Sequence, residues 1–368
     1  MVVESVGVLD FRNLAACEVA IGPGLNLIRG ENGAGKTNLL EAIYSAIAGR
    51  SCRTRDDRET IAFGKSLARS EAVVADGEQR RTFLCSVSRS EGRRHLVDGS
   101  PAGAEAAALR PALAVFMPDR LALVKGPPAG RRAHLDGFCV ALWPSRGEAR
   151  RRYSRALAQR NSLLGRIRAR VAGTDSLEAW DRELAAAGVE LAAIRAEAVE
   201  RLAGEFAAAA EALGLSGASL RYRPRSEAAS PEELAAELAE RREADIARGY
   251  TGWGPHHDEL AFEAGDRALR RYGSQGQQRT ALLALLFAER RTLLDDGRPV
   301  PLMLLDDVTS ELDAAHRRML VEHLADGGGQ AVITATEAAH LPAVADRHEI
   351  AIRDGRPLGP AAADGRAA

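Results

Sequence analysis

Lysine is almost missing from this 368-residue chain. Three occur, Lys36, Lys65 and Lys125, so nearly all of its positive charge is carried by arginine. Aromatic residues make up 4% of the chain, too few to lay down a stacking surface for the bases of a single strand. The formal net charge is −1, which excludes a global pull on nucleic acid and leaves any such binding to a local patch. The four cysteines, Cys17, Cys52, Cys85 and Cys139, stand singly, with no C-x-x-C pair and no cluster of histidines around them. That spacing argues against a structural zinc site and against a disulfide framework. No stretch approaches ~18 apolar residues, and the first residues lack a basic segment followed by a long apolar run, so a soluble, cytoplasmic protein is expected.

What is present starts with phosphate chemistry. An apolar strand, Leu25 to Ile28, runs into Gly30-Glu31-Asn32-Gly33-Ala34-Gly35-Lys36-Thr37-Asn38, and a helix follows with Leu39, Leu40, Ile43 and Ile47 at helical spacing. Strand, glycine loop and helix are the parts of a phosphate-binding P-loop. Its glycines let backbone N–H groups curl around phosphates, and the helix N-terminus adds partial positive charge. Lys36 is placed to reach the β- and γ-phosphates, and the Thr37 hydroxyl to bind Mg²⁺. A second triplet, Gly64-Lys65-Ser66, has Glu59 where a P-loop needs its first glycine and no apolar strand before it, so it reads as a surface turn.

A buried strand, Pro301 to Leu305, ends in Asp306-Asp307. Beside a P-loop strand, Asp306 would hold Mg²⁺ and Asp307 would aim at an attacking water as general base or polariser. Ser310-Glu311-Leu312-Asp313 follows, with a Ser and an Asp suited to the seam between two ATP-bound subunits. Ser274-Gln275-Gly276-Gln277-Gln278-Arg279 opens a helix whose tip can present a hydroxyl and backbone donors to a γ-phosphate. Two subunits set head to tail would let each tip close the other's ATP.

Around these motifs the chain alternates in character. Strands are expected at Val6–Leu9, Ala16–Ile21, Leu67–Val74, Arg81–Ser88, Arg94–Val97 and Ala112–Met117, with Asp76-Gly77 and Asp98-Gly99 as hairpin turns. The charged run 49–59 reads either as a solvated loop or as a segment touching nucleotide or DNA. From Arg131 helices take over. Ser176 to about Leu213 forms one long helical segment with Leu177, Leu184 and Leu191 repeating at seven, enough for a short antiparallel hairpin. Residues 216–229 read as a linker, and Ser230-Pro231 caps the next helix. Strands return at Leu260–Glu263, Leu302–Leu305 and Ala331–Thr334. The domain scheme is 1–130 for the first part of an ATPase domain, 131–250 for a helical arm, 251–353 for the second part, and 354–368 for a disordered tail. Arg146 to Arg170 holds nine Arg and one Glu, a local charge of +8. Arg150, Arg151, Arg152, Arg155, Arg166, Arg168 and Arg170 either contact DNA phosphates or form a solvated face paired with the acidic helix after Ser176.

The order of these motifs resembles the RecF family of DNA replication and repair proteins, relatives of the SMC and Rad50 ATPase heads. Gly49-Arg50-Ser51-Cys52-Arg53-Thr54, the stretch from Phe116 to Asp136, Gln159-Arg160-Asn161 and Gly254-Pro255-His256-x-Asp258 carry the likeness further, over residues 1 to about 353. The resemblance implies an α/β fold: a P-loop ABC-type ATPase head with an antiparallel β-subdomain and an inserted α-helical arm. It implies ATP and Mg²⁺ as cofactors, Gly30 to Thr37 as Walker A, Ser274 to Gln278 as a signature acting on the partner's ATP, Asp306 and Asp307 as Walker B and catalytic acid, and Asp313 in the D-loop. It also implies slow ATP hydrolysis, an ATP-dependent homodimer, binding to duplex DNA, gaps and junctions, and work with RecR and RecO to load RecA. Three departures stand out: Cys52 replaces an aromatic, His257 and Glu259 replace Arg and Asp, and no switch histidine follows Ala331–Thr336, where Thr336 or Glu337 stands and His340 lies too far along. ATP is therefore expected to act more as a clamp than as fuel. A transporter-type ABC subunit, an SMC-type tether and an ATP-gated scaffold with negligible turnover are the alternatives; a basic arm argues against the first and a three-heptad hairpin against the second.

Overall fold

Strand, loop and strand pair off along the chain in the computed structural model, which describes residues 1–103, 109–117, 121–308, 314–326, 328–336 and 347–358. The first part runs β1 (Val2–Leu9), β2 (Cys17–Ala20), β3 (Leu25–Arg29), α1 (Lys36–Ala48), β4 (Leu67–Asp76), β5 (Gln79–Ser88), β6 (Gly92–Val97), β7 (Ser100–Pro101) and β8 (Leu113–Phe116). The middle part runs α2 (Pro128–Leu142), α3 (Gly147–Arg168), α4 (Leu177–Ala212), β9 (Ala218–Arg223), α5 (Pro231–Glu240), α6 (Arg242–Arg248), β10 (Glu259–Ala264), β11 (Arg267–Ala268) and α7 (Gln275–Asp295). The last part adds β12 (Leu302–Leu305), α8 (Ala314–Asp326), β13 (Ala331–Ala335), β14 (His348–Arg353) and β15 (Arg356–Leu358).

The chain divides into two units, residues 1–120 with 299–368, and residues 121–298. In the first unit, β2-β1-β4-β5-β6-β7 form an antiparallel sheet. Its long strands alternate: Ala68, Ser70, Ala72 and Val74 of β4 and Phe83, Cys85 and Val87 of β5 turn inward, the period of two expected of a sheet with one buried face. Asp98 and Gly99 both take positive φ, 51° and 78°, as a two-residue turn between β6 and β7 requires. A second sheet has the order β15-β14-β3-β13-β12-β8, parallel apart from β15. Leu302 to Leu305 and Ala331 to Ala335 are buried at every position, so they appear in the sequence as unbroken apolar runs. Helix α1 is buried from Leu39 to Ile47 and shares one apolar core with residues of both sheets, which accounts for its nearly all-round burial.

The second unit is not wholly helical. Helices α3 and α4 form the expected antiparallel hairpin, seamed by Leu184 and Leu191 against Tyr153 and Ala156. The segment 216–229, expected as a linker, contains β9, which pairs along its whole length with β10 in a sheet of order β11-β10-β9. Phe206 of α4 meets Phe262 of β10 edge-on, with ring centroids 5.9 Å apart. The boundaries therefore fall at 120/121 and 298/299, not at 131 and 251: β10 and α7 join the unit that holds α4 because their partners are there. Ser230 caps α5 by accepting a hydrogen bond from Glu233 N, whereas the Ser176 side chain makes no capping bond. Residues 354–358, expected to start a disordered tail, are sheet-bound: β15 pairs with β14, and Gly355 N donates to Ala34 O at 2.9 Å. Among the described residues, no helix is long and apolar enough to cross a membrane.

Candidate functional site

The loop after β3 is held open by geometry that side chains would spoil. Gly33 and Gly35 have φ of +82° and +112°. A Cβ on Gly30 would lie 2.2 Å from Ile352 O. In this state Lys36 Nζ donates to two carbonyls of its own loop, Gly30 O at 2.8 Å and Glu31 O at 2.9 Å. Partial burial pulls the Lys36 pKa down, while Asp306 and Asp307 push it back up.

Parallel pairing of β3, β13, β12 and β8 brings Asp306 to the head of α1. Thr37 Oγ1 donates to the Asp306 carboxylate, 2.8 Å from Oδ1 and 3.0 Å from Oδ2, across 269 residues of sequence. Thr334 Oγ1 donates to Asp306 Oδ1 at 2.8 Å and accepts from Asp307 N at 2.9 Å. Burial raises the Asp306 pKa, against the lowering effect of the two hydroxyl bonds. Asp307 is exposed and sits at φ 48°, one of few non-glycine residues in the left-handed region. A hollow of about 280 Å³ opens here, lined by Asn32, Lys36, Thr37, Asp306, Asp307 and Thr336. A hydroxyl and two carboxylates in a glycine cradle are hard oxygen donors of the number Mg²⁺ takes from a protein when phosphates and water supply the rest. Gly30 to Asn38 thus lie together with Asp306 and Asp307. Asp313, Ser310, Glu337 and His340 lie outside the described residues.

Residues not singled out in the sequence brace this loop. Glu41, fully buried in α1, accepts both Arg12 Nε (3.0 Å) and Arg12 Nη2 (2.9 Å), Ser51 Oγ at 2.6 Å and Arg53 Nη1 at 3.1 Å. Asn13 Nδ2 donates to Gly33 O at 2.8 Å, and Asn38 Nδ2 donates to Asn13 Oδ1 at 2.7 Å. The signal for Glu41 was an acid inside the apolar run Leu39 to Ile43. Ser51 and Arg53 tie the start of run 49–59 to α1, with Arg53 also donating to Asn38 Oδ1 at 2.9 Å, while Cys52 packs its sulfur 3.5 Å from that of Met117.

In the second unit Ser274 and Gln277 form a reciprocal capping box at the start of α7, with Gln275 and Gly276 exposed on its first turn. Gln278 is buried and donates to Leu269 O. The basic arm is partly neutralised by its neighbours. Arg146 pairs with Glu197, Arg150 with Asp136, Arg151 with Glu148, Arg152 with Glu190, and Arg160 is buried between Asp181 and Asp245. Arg155, Arg166 and Arg170 are exposed without such a pair among the described residues, and Arg168 donates to Arg248 O. Glu148 is already counted in the +8, so carboxylates of other segments pair with four of those charges, and the phosphate-binding capacity shrinks to Arg155, Arg166, Arg168 and Arg170.

The Gly254-Pro255-His256-x-Asp258 motif organises a polar core of that unit. Asp258 accepts from Arg195 Nη1 at 3.2 Å, from Tyr222 Oη and from Arg225 N. Arg195 also forks onto Asp136 and donates to Pro255 O at 2.7 Å. Glu259 takes the two-pronged Arg131, at 2.6 and 2.9 Å, so the departure at this position keeps a carboxylate with a defined partner.

A mixed sheet carrying a P-loop, an apposed acidic strand end, an antiparallel sheet beside them and an inserted helical unit define an ABC-type ATPase head of the SMC and RecF architecture. The model of the RecF/RecN/SMC N-terminal domain matches residues 2–355. The chain is similar to the DNA replication and repair protein RecF of Anaeromyxobacter dehalogenans (strain 2CP-C), 42% identical over 353 residues that cover 90% of this chain and 92% of that one. It is 38% identical to RecF of Deinococcus radiodurans over 338 residues, covering 91% and 90%. It also resembles the solved structure of the recombination mediator protein RecF with ATP in the RecFOR pathway, with a TM-score of 0.81 and 27% identity over 97% of this chain and 98% of that one. An SMC head bound to ScpA shares the fold at TM-score 0.60 and 15% identity. The chain belongs to the RecF family of DNA replication and repair proteins.

Proposed function

We propose that this chain is an ATP-gated DNA clamp of recombinational repair, acting in the cytoplasm. The observation that carries the reading is the meeting of Thr37 Oγ1 with Asp306 at 2.8 Å at the rim of the glycine loop. ATP would lie in the loop from Gly30 to Asn38. Thr37 and Asp306 would hold Mg²⁺, which when bound neutralises phosphate charge. Lys36 would leave the carbonyls of Gly30 and Glu31 for the phosphates. Asp307 would orient or accept a proton from the attacking water, giving slow, DNA-stimulated ATP hydrolysis. Ser274, Gln275, Gly276 and Gln277 would face the ATP of a second copy, with Asp313 at the seam, so that ATP drives a homodimer. The nucleic-acid partner is duplex DNA at gaps and junctions, and the protein partners are RecR and RecO, in keeping with the pathway of the solved relative.

Thr336 at the hollow favours a clamp with slow or negligible turnover over a fast motor. Light scattering with Mg²⁺ and ATP, with and without a gapped duplex, tests the reading: mass should double with ATP. Ser274→Arg should keep ATP binding by the monomer and lose that doubling. A normal dimer of the variant would remove the composite site.

A further inference from the structure

The second unit carries a second group of cationic side chains, Arg132, Arg225 and His257, apart from the basic arm. Asp258 organises it from beneath. The Asp258 carbonyl accepts from Arg132 Nη1 at 2.8 Å, and its carboxylate accepts from Arg225 N at 2.7 Å. His257 is its chain neighbour and is exposed. Asp258 itself is 1% exposed, and its carboxylate oxygens are taken up by Arg195, Tyr222 and the Arg225 backbone, so it forms no ion pair with the two outer guanidinium groups, although its charge still acts on Arg132 and His257. Among the described residues no carboxylate forms an ion pair with Arg132 or Arg225, whereas Arg131, Arg195, Arg221 and Arg223 nearby all have one. Arg225 lies instead over the Trp253 ring, 4.4 Å from its centroid, and Arg241 lies 4.0 Å from the same ring. The Trp253 Nε1 donates to Glu237 at 2.5 Å, so the ring is held in place and positions the guanidinium above it.

The neighbours of this group repel one another. Burial, then Arg132 and Arg225, hold the His257 pKa below its ordinary value. Burial, then Arg195, lower that of Arg132, while Asp258, Glu259 and Asp136 push it back up. Guanidinium groups held close together without a directly bonded carboxylate have donors left for an anion from outside, and their planar fork suits phosphate oxygens.

We propose that Arg132, Arg225 and His257, with Arg225 seated on Trp253, form a site for the phosphodiester backbone of duplex DNA. The site rests on the clamp reading and supplies the backbone contact that the neutralised arginines of α3 cannot. It reads no bases, because two guanidiniums and an imidazole set against neighbouring backbone phosphates carry no sequence information.

The test is the affinity of the full chain, with Mg²⁺ and ATP, for a duplex over a range of salt concentrations. Arg132→Gln with Arg225→Gln should weaken binding to all sequences alike and reduce the slope of log affinity against log salt by about 2, roughly one per lost phosphate contact. Arg225→Lys alone should keep most of the slope. Arg150→Gln with Arg152→Gln, whose arginines already hold carboxylates, should leave it within about 0.5 of the parent value. ATP binding and the melting temperature of each variant verify that it is folded. A double variant that binds ATP and duplex with the parental slope overturns the site and leaves the clamp reading intact. A parent chain that binds no duplex in any nucleotide state overturns both.

Discussion

Replacing His256 by glutamine should remove a pH-dependence of stability confined to residues 121–298. His256 is held by two bonds, one of which, from the Tyr153 hydroxyl to Nδ1, requires its neutral form. Thr251 O can only accept, so Nε2, 3.0 Å away, carries the proton. Nδ1, 2.6 Å from Tyr153 Oη, is then the acceptor of the tyrosine hydroxyl. Tyr153 also accepts from His256 N at 3.4 Å. A second proton on the ring would leave Tyr153 with two donors pointing at it and nothing to donate to. Burial first, and then His257 and Arg132, oppose that proton as well, while Asp245 favours it, and the pKa falls from 6.5 to about 4. The unfolded chain protonates near 6.5, and the folded unit resists until about 4. Stability is therefore fully present above 6.5 and falls as the pH drops through that window, by about 1.36 kcal/mol per unit, or about 3 kcal/mol in all. All three tryptophans, Trp143, Trp180 and Trp253, lie in this unit, so urea unfolding followed by their fluorescence reports on it alone. Carboxylates titrate alike in parent and His256→Gln, as do the histidines other than His257, whose ring centroid lies 4.3 Å from that of His256. The stability difference between the two should thus shrink by about 3 kcal/mol from pH 7 to pH 4. Parallel curves across that range would show that His256 accepts its proton in the folded state and that the tautomer argument is wrong.

Three further outcomes follow from the geometry. Lys36→Ala should lower ATP affinity about 100-fold, on the order of 3 kcal/mol, by calorimetric titration, because it removes the cation that the glycine loop carries; unchanged affinity would overturn the P-loop assignment. Gly30→Ala should weaken ATP binding and cost about 1–3 kcal/mol of stability, since its methyl would meet Ile352 O at 2.2 Å and force the loop or β14 aside; a parental melting curve would refute the close approach. Arg195→Met should cost about 3–5 kcal/mol by urea unfolding, because buried Asp258 would lose its ion pair and buried Asp136 would keep only the exposed Arg150; a loss under about 1 kcal/mol would show that water replaces the guanidinium.

Chemistry that lies in consecutive residues is legible in the sequence alone. Gly30 to Thr37 carries its own turn, cradle and helix start. Asp306-Asp307 ends a run so apolar that only a buried parallel strand accounts for it. The capping residue Ser230 acts within four positions of itself, so spacing reveals it, whereas the Ser274–Gln277 capping box shows only in the structure. The strands of the antiparallel sheet announce themselves by alternation and by Asp98-Gly99. β9 does not: Arg221, Tyr222 and Arg223 look like loop until β10 is laid beside them, because a strand's partner is not written in the strand. The same holds for the tail, where 354–358 are ordered by β14 and Ala34.

Sequence by itself thus determined the phosphate loop, the acidic strand end and the family, since these rest on local backbone geometry and on residue order. Only tertiary structure decided that Thr37 meets Asp306, that Glu41 braces the loop through Arg12, and that the inserted unit runs from 121 to 298 with a sheet of its own. It also decided what the arginine-rich helix is for. Charge adds along a sequence whatever surrounds it, but the field it makes depends on which carboxylates fold against it. On α3 they pair with about half of it, and around Asp258 they leave Arg132 and Arg225 without an ion pair among the described residues.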